Sequence, residues 1–155
     1  LITMLKVKNL SKIKNNQVCF SFISESTVSE IADLMDIKDI GAVPILDLEK
    51  TLIGILSERD IVRKLVKTGR DSDLVTANDI MTKKIKSVHL STSITEAQKI
   101  MTENNIRHLP VVDENNKLIN FLSQRDLIVI PSKIINQVII LGFFILILTT
   151  IFMIK

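Results

Sequence analysis

The stretch IGAVPILDLEKTLIGILSERD, Ile40 to Asp60, returns as IRHLPVVDENNKLINFLSQRD, Ile106 to Asp126, at a constant offset of 66 residues. The register runs back without a gap to Thr27 and Ser93. It pairs Glu30 with Glu96, Met35 with Met101, Pro44 with Pro110 and Asp47 with Asp113, and at its end Ser57 with Ser123, Arg59 with Arg125 and Asp60 with Asp126. Apolar positions that differ exchange conservatively, Val28 for Ile94, Leu34 for Ile100 and Ile45 for Val111. A match of this length in fixed register marks two copies of one supersecondary unit.

Each copy reads as strand, helix, strand, strand, helix. VCFSFI (Val18 to Ile23) and IKSVHL (Ile85 to Leu90) are short apolar or β-branched runs followed by helix-capping residues. Val28, Ile31, Leu34 and Met35 recur at helical spacing behind a capping box of Thr27 and Glu30, and Ala97, Ile100 and Met101 follow Ser93 and Glu96 in the same way. VPILD and LPVVD, each joined through a polar turn to LIGILS and LINFLS, predict hairpins, and SERDIVRKLVKTG predicts a helix closed by Gly69. Strands this continuously apolar cannot face water on one side, so the fold class is α/β (α+β), with helices covering sheets.

Composition narrows the partners. Twenty basic residues stand against 17 acidic ones, for a net charge of +3, and no stretch gathers five or six like charges. With no Trp or Tyr to stack on bases, nucleic acid is not an expected partner. The single Cys19, between Val18 and Phe20, reads as a buried structural thiol in a reducing compartment, and no second cysteine or close histidine pair offers metal-ligand spacing. LITMLKVKNL lacks the pattern of a secretory signal, and a start at Leu1 instead of Met points to a trimmed or incomplete N-terminus.

The paired segments IGAVPILD with GILSERD, and IRHLPVVD with NFLSQRD, resemble the two motifs of a CBS domain pair, or Bateman module, of the stand-alone bacterial type. ANDIMTKK between them resembles that family's linker into the second motif, and the resemblance covers about Lys6 to Val129. It implies tandem β-α-β-β-α units packed sheet against sheet around a pseudo-two-fold axis, leaving two clefts. In the family these clefts bind adenosine-containing ligands such as AMP, ADP, ATP, S-adenosylmethionine or NAD, and pairs commonly dimerise into a disc. The expected organisation is a first motif with its N-terminal linker over 6–69, a connector over 70–84, a second motif over 85–130 and an apolar segment over 134–154. The expected function is a regulatory module, not an enzyme. It requires no cofactor, takes an adenine nucleotide as regulatory ligand, forms a homodimer and signals to an unknown regulated protein. The alternative is a ligand-free scaffold for dimerisation or membrane tethering.

The repeated S-x-R-D segment suits that role chemically. Ser57 and Ser123 stand where a strand meets a helix, so each hydroxyl and the first-turn amides point at one spot, where the helix dipole favours an anion. Asp60 and Asp126, one turn in, can each accept two hydrogen bonds from paired ribose hydroxyls, as the resemblance implies, while Arg59 and Arg125 can reach a phosphate. The same serine and aspartate also make a plain N-cap that needs no ligand. By resemblance Arg107 and His108 face a cleft and touch phosphate, whereas the first copy has Gly41 and Ala42 there; this favours the second site, with Ser123, Arg125 and Asp126, for a phosphorylated ligand. Asn120 in place of Gly54 is expected to crowd backbone near that ligand. No nucleophile or carboxylate pattern around His108 suggests catalysis.

The register fails after Asp126, where Pro131 interrupts any continuing helix. Mean hydropathy is high at +0.34, and its excess is concentrated at the C-terminus. Of the 21 residues from Ile134 to Ile154, 16 are Ile, Leu, Val, Phe or Met and none is charged, and Lys133 and Lys155 flank them. That length can span a bilayer as a helix. Two placements stay open: an anchor holding a cytoplasmic module to the inner face of a membrane, or a helix buried in the module or a dimer interface.

Overall fold

The computed structural model describes residues 5–128, together with 140–142, 145–146 and 149. Its elements in chain order are α1 (Ser11–Lys14), β1 (Phe22–Ile23), α2 (Val28–Lys38), β2 (Ala42–Leu46), β3 (Leu52–Ser57), α3 (Glu58–Asp60), α4 (Ala77–Ile80), α5 (Ile94–Glu103), β4 (His108–Val112) and β5 (Leu118–Ser123). α3 continues as a π-helical turn over Ile61–Leu65 and a 3-10 turn over Val66–Thr68, and Gly69 ends it in the left-handed conformation with φ of 66°. No Cβ clash opposes that conformation in glycine, which is why the helix stops there.

The two hairpins are copies down to their irregularities. β2 and β3 pair antiparallel from Ala42 with Ser57 to Leu46 with Leu52, with a bulge between Ile45 and Leu46. β4 and β5 pair from His108 with Ser123 to Val112 with Leu118, with the bulge between Val111 and Val112. Each turn is tied by an aspartate. Asp47 Oδ1 accepts from the amides of Glu49 and Thr51 at 2.9 and 2.7 Å, and Asp113 Oδ1 accepts from those of Asn115 and Lys117 at 2.9 and 2.8 Å. The parallel strand beside each hairpin is shorter than the apolar runs predict. Only Phe22 and Ile23 pair with Ile45 and Leu46, and in the second unit only Val88 pairs with Val111. The residues ahead of those pairings, Val18 to Phe20 and Lys84 to Lys86, lie along clefts instead of a ladder. Cys19 is accordingly half-buried at a cleft and not in a strand core; burial pushes its thiol up, with Lys12 opposing.

The two cores exchange their covering segments. The first core gathers Val28, Ile31, Met35, Val43, Ile45 and Leu56 with Ala77, Ile80 and Met81, which precede the second unit in sequence. The second gathers Ile94, Met101, Leu109, Val111 and Leu122 with Val7 and Leu10, which precede the first unit. The backbone follows the same rule. Val28 N–H donates to Val75 C=O at 2.9 Å, and Ile94 N–H donates to Leu5 C=O at 2.9 Å. Thr27 bridges Thr76 as Ser93 bridges Lys6, so the two covering segments correspond at an offset of 70. Where the units meet, Thr51 bridges Lys117, its own counterpart in the repeat, as a pseudo-two-fold axis requires.

Among the described residues no helix is long and apolar enough to cross a membrane. The apolar segment 134–154, for which an anchor or a buried helix was expected, lies almost wholly outside the described residues.

Candidate functional site

At each strand-to-helix corner a serine and an aspartate close a capping box. Ser57 Oγ and N–H donate to Asp60 Oδ2 at 2.6 and 3.0 Å, and Asp60 N–H donates back to Ser57 Oγ at 3.3 Å. Ser123 Oγ and N–H donate to Asp126 Oδ2 at 2.8 and 2.6 Å. The plain N-cap is therefore present at both corners, and the remaining partners distinguish them. Asp60 Oδ1 takes the Thr82 hydroxyl at 3.0 Å and the Lys64 ammonium at 2.8 Å, and Lys64 Nζ also donates to Ile80 C=O at 2.7 Å. Asp126 takes Lys12 Nζ at 3.3 Å, on the oxygen that already serves Ser123. Burial alone raises both carboxyls. For Asp60 the Lys64 and Ser57 donors outweigh it, and for Asp126 the Ser123 donors and Lys12 do, so both stay ionised below the ordinary carboxylate range.

Each capping box opens on a cleft between the units. Ser57, Arg59 and Asp60 line one of about 440 Å³, and Arg107 and His108 from the other unit close it together with Lys84 and Lys86. Ser123, Arg125 and Asp126 line one of about 240 Å³, closed by His108, Lys12 and Phe20. A third cleft, of about 570 Å³, runs between them past Asp36, Glu58, Arg107 and Arg125. Arg107 lines the Ser57–Asp60 cleft and, with Ser123 and Arg125, the third one, but not the Ser123–Asp126 cleft itself. The reason is the pseudo-two-fold axis, which turns the start of β4 across the interface toward the opposite corner. Arg59 is partly engaged, because its Nη1 donates to Asn105 C=O at 3.2 Å.

Basic charge follows the larger cleft. The 66-residue repeat places Arg107, Lys84 and Lys86 opposite Gly41, Val18 and Phe20 in the smaller one. Gly54 and Asn120 line neither. A Cβ at Gly54 would overlap the Met81 side chain, so that glycine makes room for the first core, while buried Asn120 accepts from Phe121 N–H at 2.8 Å. Lys64 was legible from its i+4 spacing to Asp60, a common helical ion pair. Lys12 and Lys86 carry no local motif, Thr82 and Lys84 fall in the linker ANDIMTKK, and only the second offset of 70 reveals how Lys12 and Thr82 correspond. Among the described residues no cluster of three His, Cys, Asp or Glu is placed to hold a metal ion.

His108 stacks on Phe121 with ring centroids 5.6 Å apart and planes within 6°. Burial first, then the charges of Arg107 and Lys12, pull its imidazole from 6.5 to about 4 against the opposing pull of Asp126. It is neutral at neutral pH and serves as an apolar stacking wall. The unfolded chain takes up this proton near pH 6.5 and the folded chain only near pH 4, so the contribution is complete above pH 6.5 and lost as pH falls through that interval. From pH 7 to pH 4.5 the free energy of unfolding is expected to fall by about 2 kcal/mol, read from urea midpoints. A His108→Gln protein should lose that slope; the same slope in the variant would assign it elsewhere. Asp60 and Asp126 act lower, below the ordinary value of 3.8.

The comparisons with known proteins agree with this fold. The CBS domain family model matches residues 19–67 and 77–132. An uncharacterised protein of Methanopyrus kandleri is 38% identical over 112 residues, covering 72% of this chain and 57% of that protein, so the chain spans little more than half of that relative. A solved protein with CBS domains from Burkholderia ambifaria superposes with a TM-score of 0.70 at 36% identity, covering 78% of this chain and 86% of the other. A CBS domain pair solved with 5′-methylthioadenosine and S-adenosyl-L-methionine superposes with a TM-score of 0.66 at 25% identity, covering 78% and 94%.

Proposed function

This chain belongs to the CBS-domain family, and from that premise we propose that it is a regulatory module whose Ser57–Asp60 cleft takes an adenosine-containing ligand bearing an anionic group. One observation carries the reading: a cleft of about 440 Å³, within the size range of small-molecule sites, sets a carboxylate and a helix-capping serine against Arg107, Lys84 and Lys86. Asp60 accepts the ribose hydroxyls there, and the three cations, with Arg59, balance the phosphates. The related domain pair solved with 5′-methylthioadenosine and S-adenosyl-L-methionine supports the ligand class.

Binding would exchange partners on Asp60. A ribose hydroxyl on Oδ1 competes with the Lys64 ammonium, which also holds Ile80 C=O and stands between the exposed Val62 and Val66 on the same helical segment. Ligand occupancy thereby reaches an exposed apolar surface that a second copy of the chain or a regulated protein would cover. A ligand shifts such an equilibrium only by its differential affinity for the two arrangements, so the partner must discriminate between them.

Calorimetric titration with AMP, ADP, ATP, S-adenosylmethionine and NAD tests the proposal. Saturable binding of at least one, weakened by added salt where the ligand carries phosphate, is the expected result. Silence from all five at millimolar concentration would refute it.

A further inference from the structure

We propose that the third cleft, of about 570 Å³, is a site of its own for the α-amino-acid group, an ammonium and a carboxylate carried on one carbon. The inference goes beyond the function proposed above, because neither Asp60 nor Asp126 lines this cleft.

The charges on its walls are sorted by unit. Asp36 near the end of α2, Asp39 just after it and Glu58 at the start of α3 bring three carboxylates from the first unit. Arg107 just ahead of β4 and Arg125 just after β5 bring two guanidiniums from the second. Among the described residues none of these five side chains has an ion-pair or hydrogen-bond partner, so both walls keep their full bonding capacity. A zwitterion meets this arrangement with one end for each wall. Its carboxylate accepts parallel N–H donors from a guanidinium, and its ammonium has three protons to give to carboxylates. A plain anion would instead face three like charges, and a plain amine would leave both arginines unpaired.

The repeated unit does not bring these charges with it. At the 66-residue offset Asp36, Asp39 and Glu58 correspond to Thr102, Asn105 and Gln124, and Arg107 corresponds to Gly41. Only Arg125 has a charged counterpart, Arg59, and that guanidinium is engaged with Asn105 C=O at 3.2 Å. The equivalent positions across the pseudo-two-fold axis thus carry one charge, already in use, where the third cleft carries five. Ala32, Met35, Ile40 and Ile61 add an apolar lining, which suits an amino acid with an apolar side chain. The cleft also shares Gly41, Glu58, Arg107 and His108 with the Ser57–Asp60 cleft, so the same group fits as the tail of a nucleoside seated there. Free leucine or methionine and the methionine tail of S-adenosylmethionine carry this chemistry alike; the tail alone rests on the nucleotide reading.

Calorimetric titration of the full chain with leucine, methionine, S-adenosylmethionine and 5′-methylthioadenosine tests the site, with AMP titrated alongside as the probe of the nucleotide cleft. The expected result takes one of two forms. Saturable binding of a free amino acid supports the site and identifies the free metabolite as its source. Binding of S-adenosylmethionine about tenfold or more tighter than that of 5′-methylthioadenosine, which lacks the amino-acid group, supports it and identifies the nucleoside tail. In both forms Arg125→Gln, which removes a partner of the carboxylate, and Asp36→Asn, which removes one of the ammonium, should each weaken binding about tenfold or more. Both residues are exposed, and thermal unfolding confirms that the variants are folded. Silence from leucine and methionine, together with no advantage of S-adenosylmethionine over 5′-methylthioadenosine, would overturn the site, as would binding that both variants leave unchanged. AMP binding in those same titrations would leave the proposed function standing. Binding of a free amino acid beside silence from AMP and both nucleosides would support the site and count against the nucleotide reading.

Discussion

A Val7→Asp protein will lose its second unit before its first. Val7 is fully buried in the second core with its neighbour Leu10 and with Ile94, Leu109 and Leu122, which lie more than 80 residues further along the chain. A carboxylate in that apolar setting has no cation or donor to pair with, and such a burial costs on the order of 3–5 kcal/mol, a large part of a domain's total stability. Hydrogen exchange reads the outcome locally: amides of β4 and β5 will lose protection while those of β2 and β3 keep theirs. Ile80→Asp will reverse the order, because Ile80, 1% exposed, lies in the first core. If Val7→Asp loosened the first hairpin first, the exchange of covering segments between the two units would be wrong.

The second large effect is on binding. Asp60→Asn keeps the side chain's shape and one acceptor for the Ser57 amide, yet it removes the charge that draws Lys64, Thr82 and, on the proposed reading, two ribose hydroxyls. Hydrogen bonds to a charged group contribute roughly 1.5–3 kcal/mol each, so affinity is expected to fall by about 100-fold or more. Folding stability should fall by only about 1 kcal/mol, the usual value of a helix cap. Asp126→Asn will leave affinity within about twofold, because the proposed ligand lies in the Ser57–Asp60 cleft, which Asp126 does not line. Titration of the two variants side by side separates loss of a contact from loss of the fold. Equal losses in both would mean that the two clefts share the ligand.

The repeat made the unit legible. Pro44 and Pro110, the turn-forming Asp47 and Asp113, and the capping pairs Ser57 with Asp60 and Ser123 with Asp126 are local features, determined by spacings of a few residues, and each appears where the pattern puts it. The first strand of each unit was over-read. The runs Val18 to Ile23 and Ile85 to Leu90 are apolar or β-branched enough for strands, but the ladder is taken up only at Phe22 and at Val88, and Val18 to Phe20, Ile85 and Lys86 become cleft walls. Propensity describes what a backbone can do and not whether a neighbouring strand is there to pair with it.

The site was legible in type and not in assembly. Ser57, Asp60, Arg107 and His108 could be singled out from sequence, but not that Arg107 would line the Ser57–Asp60 cleft and meet its own repeat's Ser123 only in the third one. The difference between the clefts depends on Lys12 against Thr82 and on Lys84 and Lys86 against Val18 and Phe20. Lys12 and Thr82 correspond only at an offset of 70, whereas Val18 and Phe20 keep the 66-residue register with Lys84 and Lys86, and the cores that these segments cover are exchanged.

By itself the sequence determined the duplicated unit of a capped helix followed by a hairpin, with its turns and its helix caps, because each of these is decided by hydrogen bonds and apolar periods spanning a few neighbouring residues. Only the tertiary structure decided which unit each covering segment buries its apolar side chains in and which side chains wall each cleft. Those outcomes depend on groups brought together from distant parts of the chain, Lys12 with Asp126 and Arg107 with Ser57, by the axis that relates the two halves.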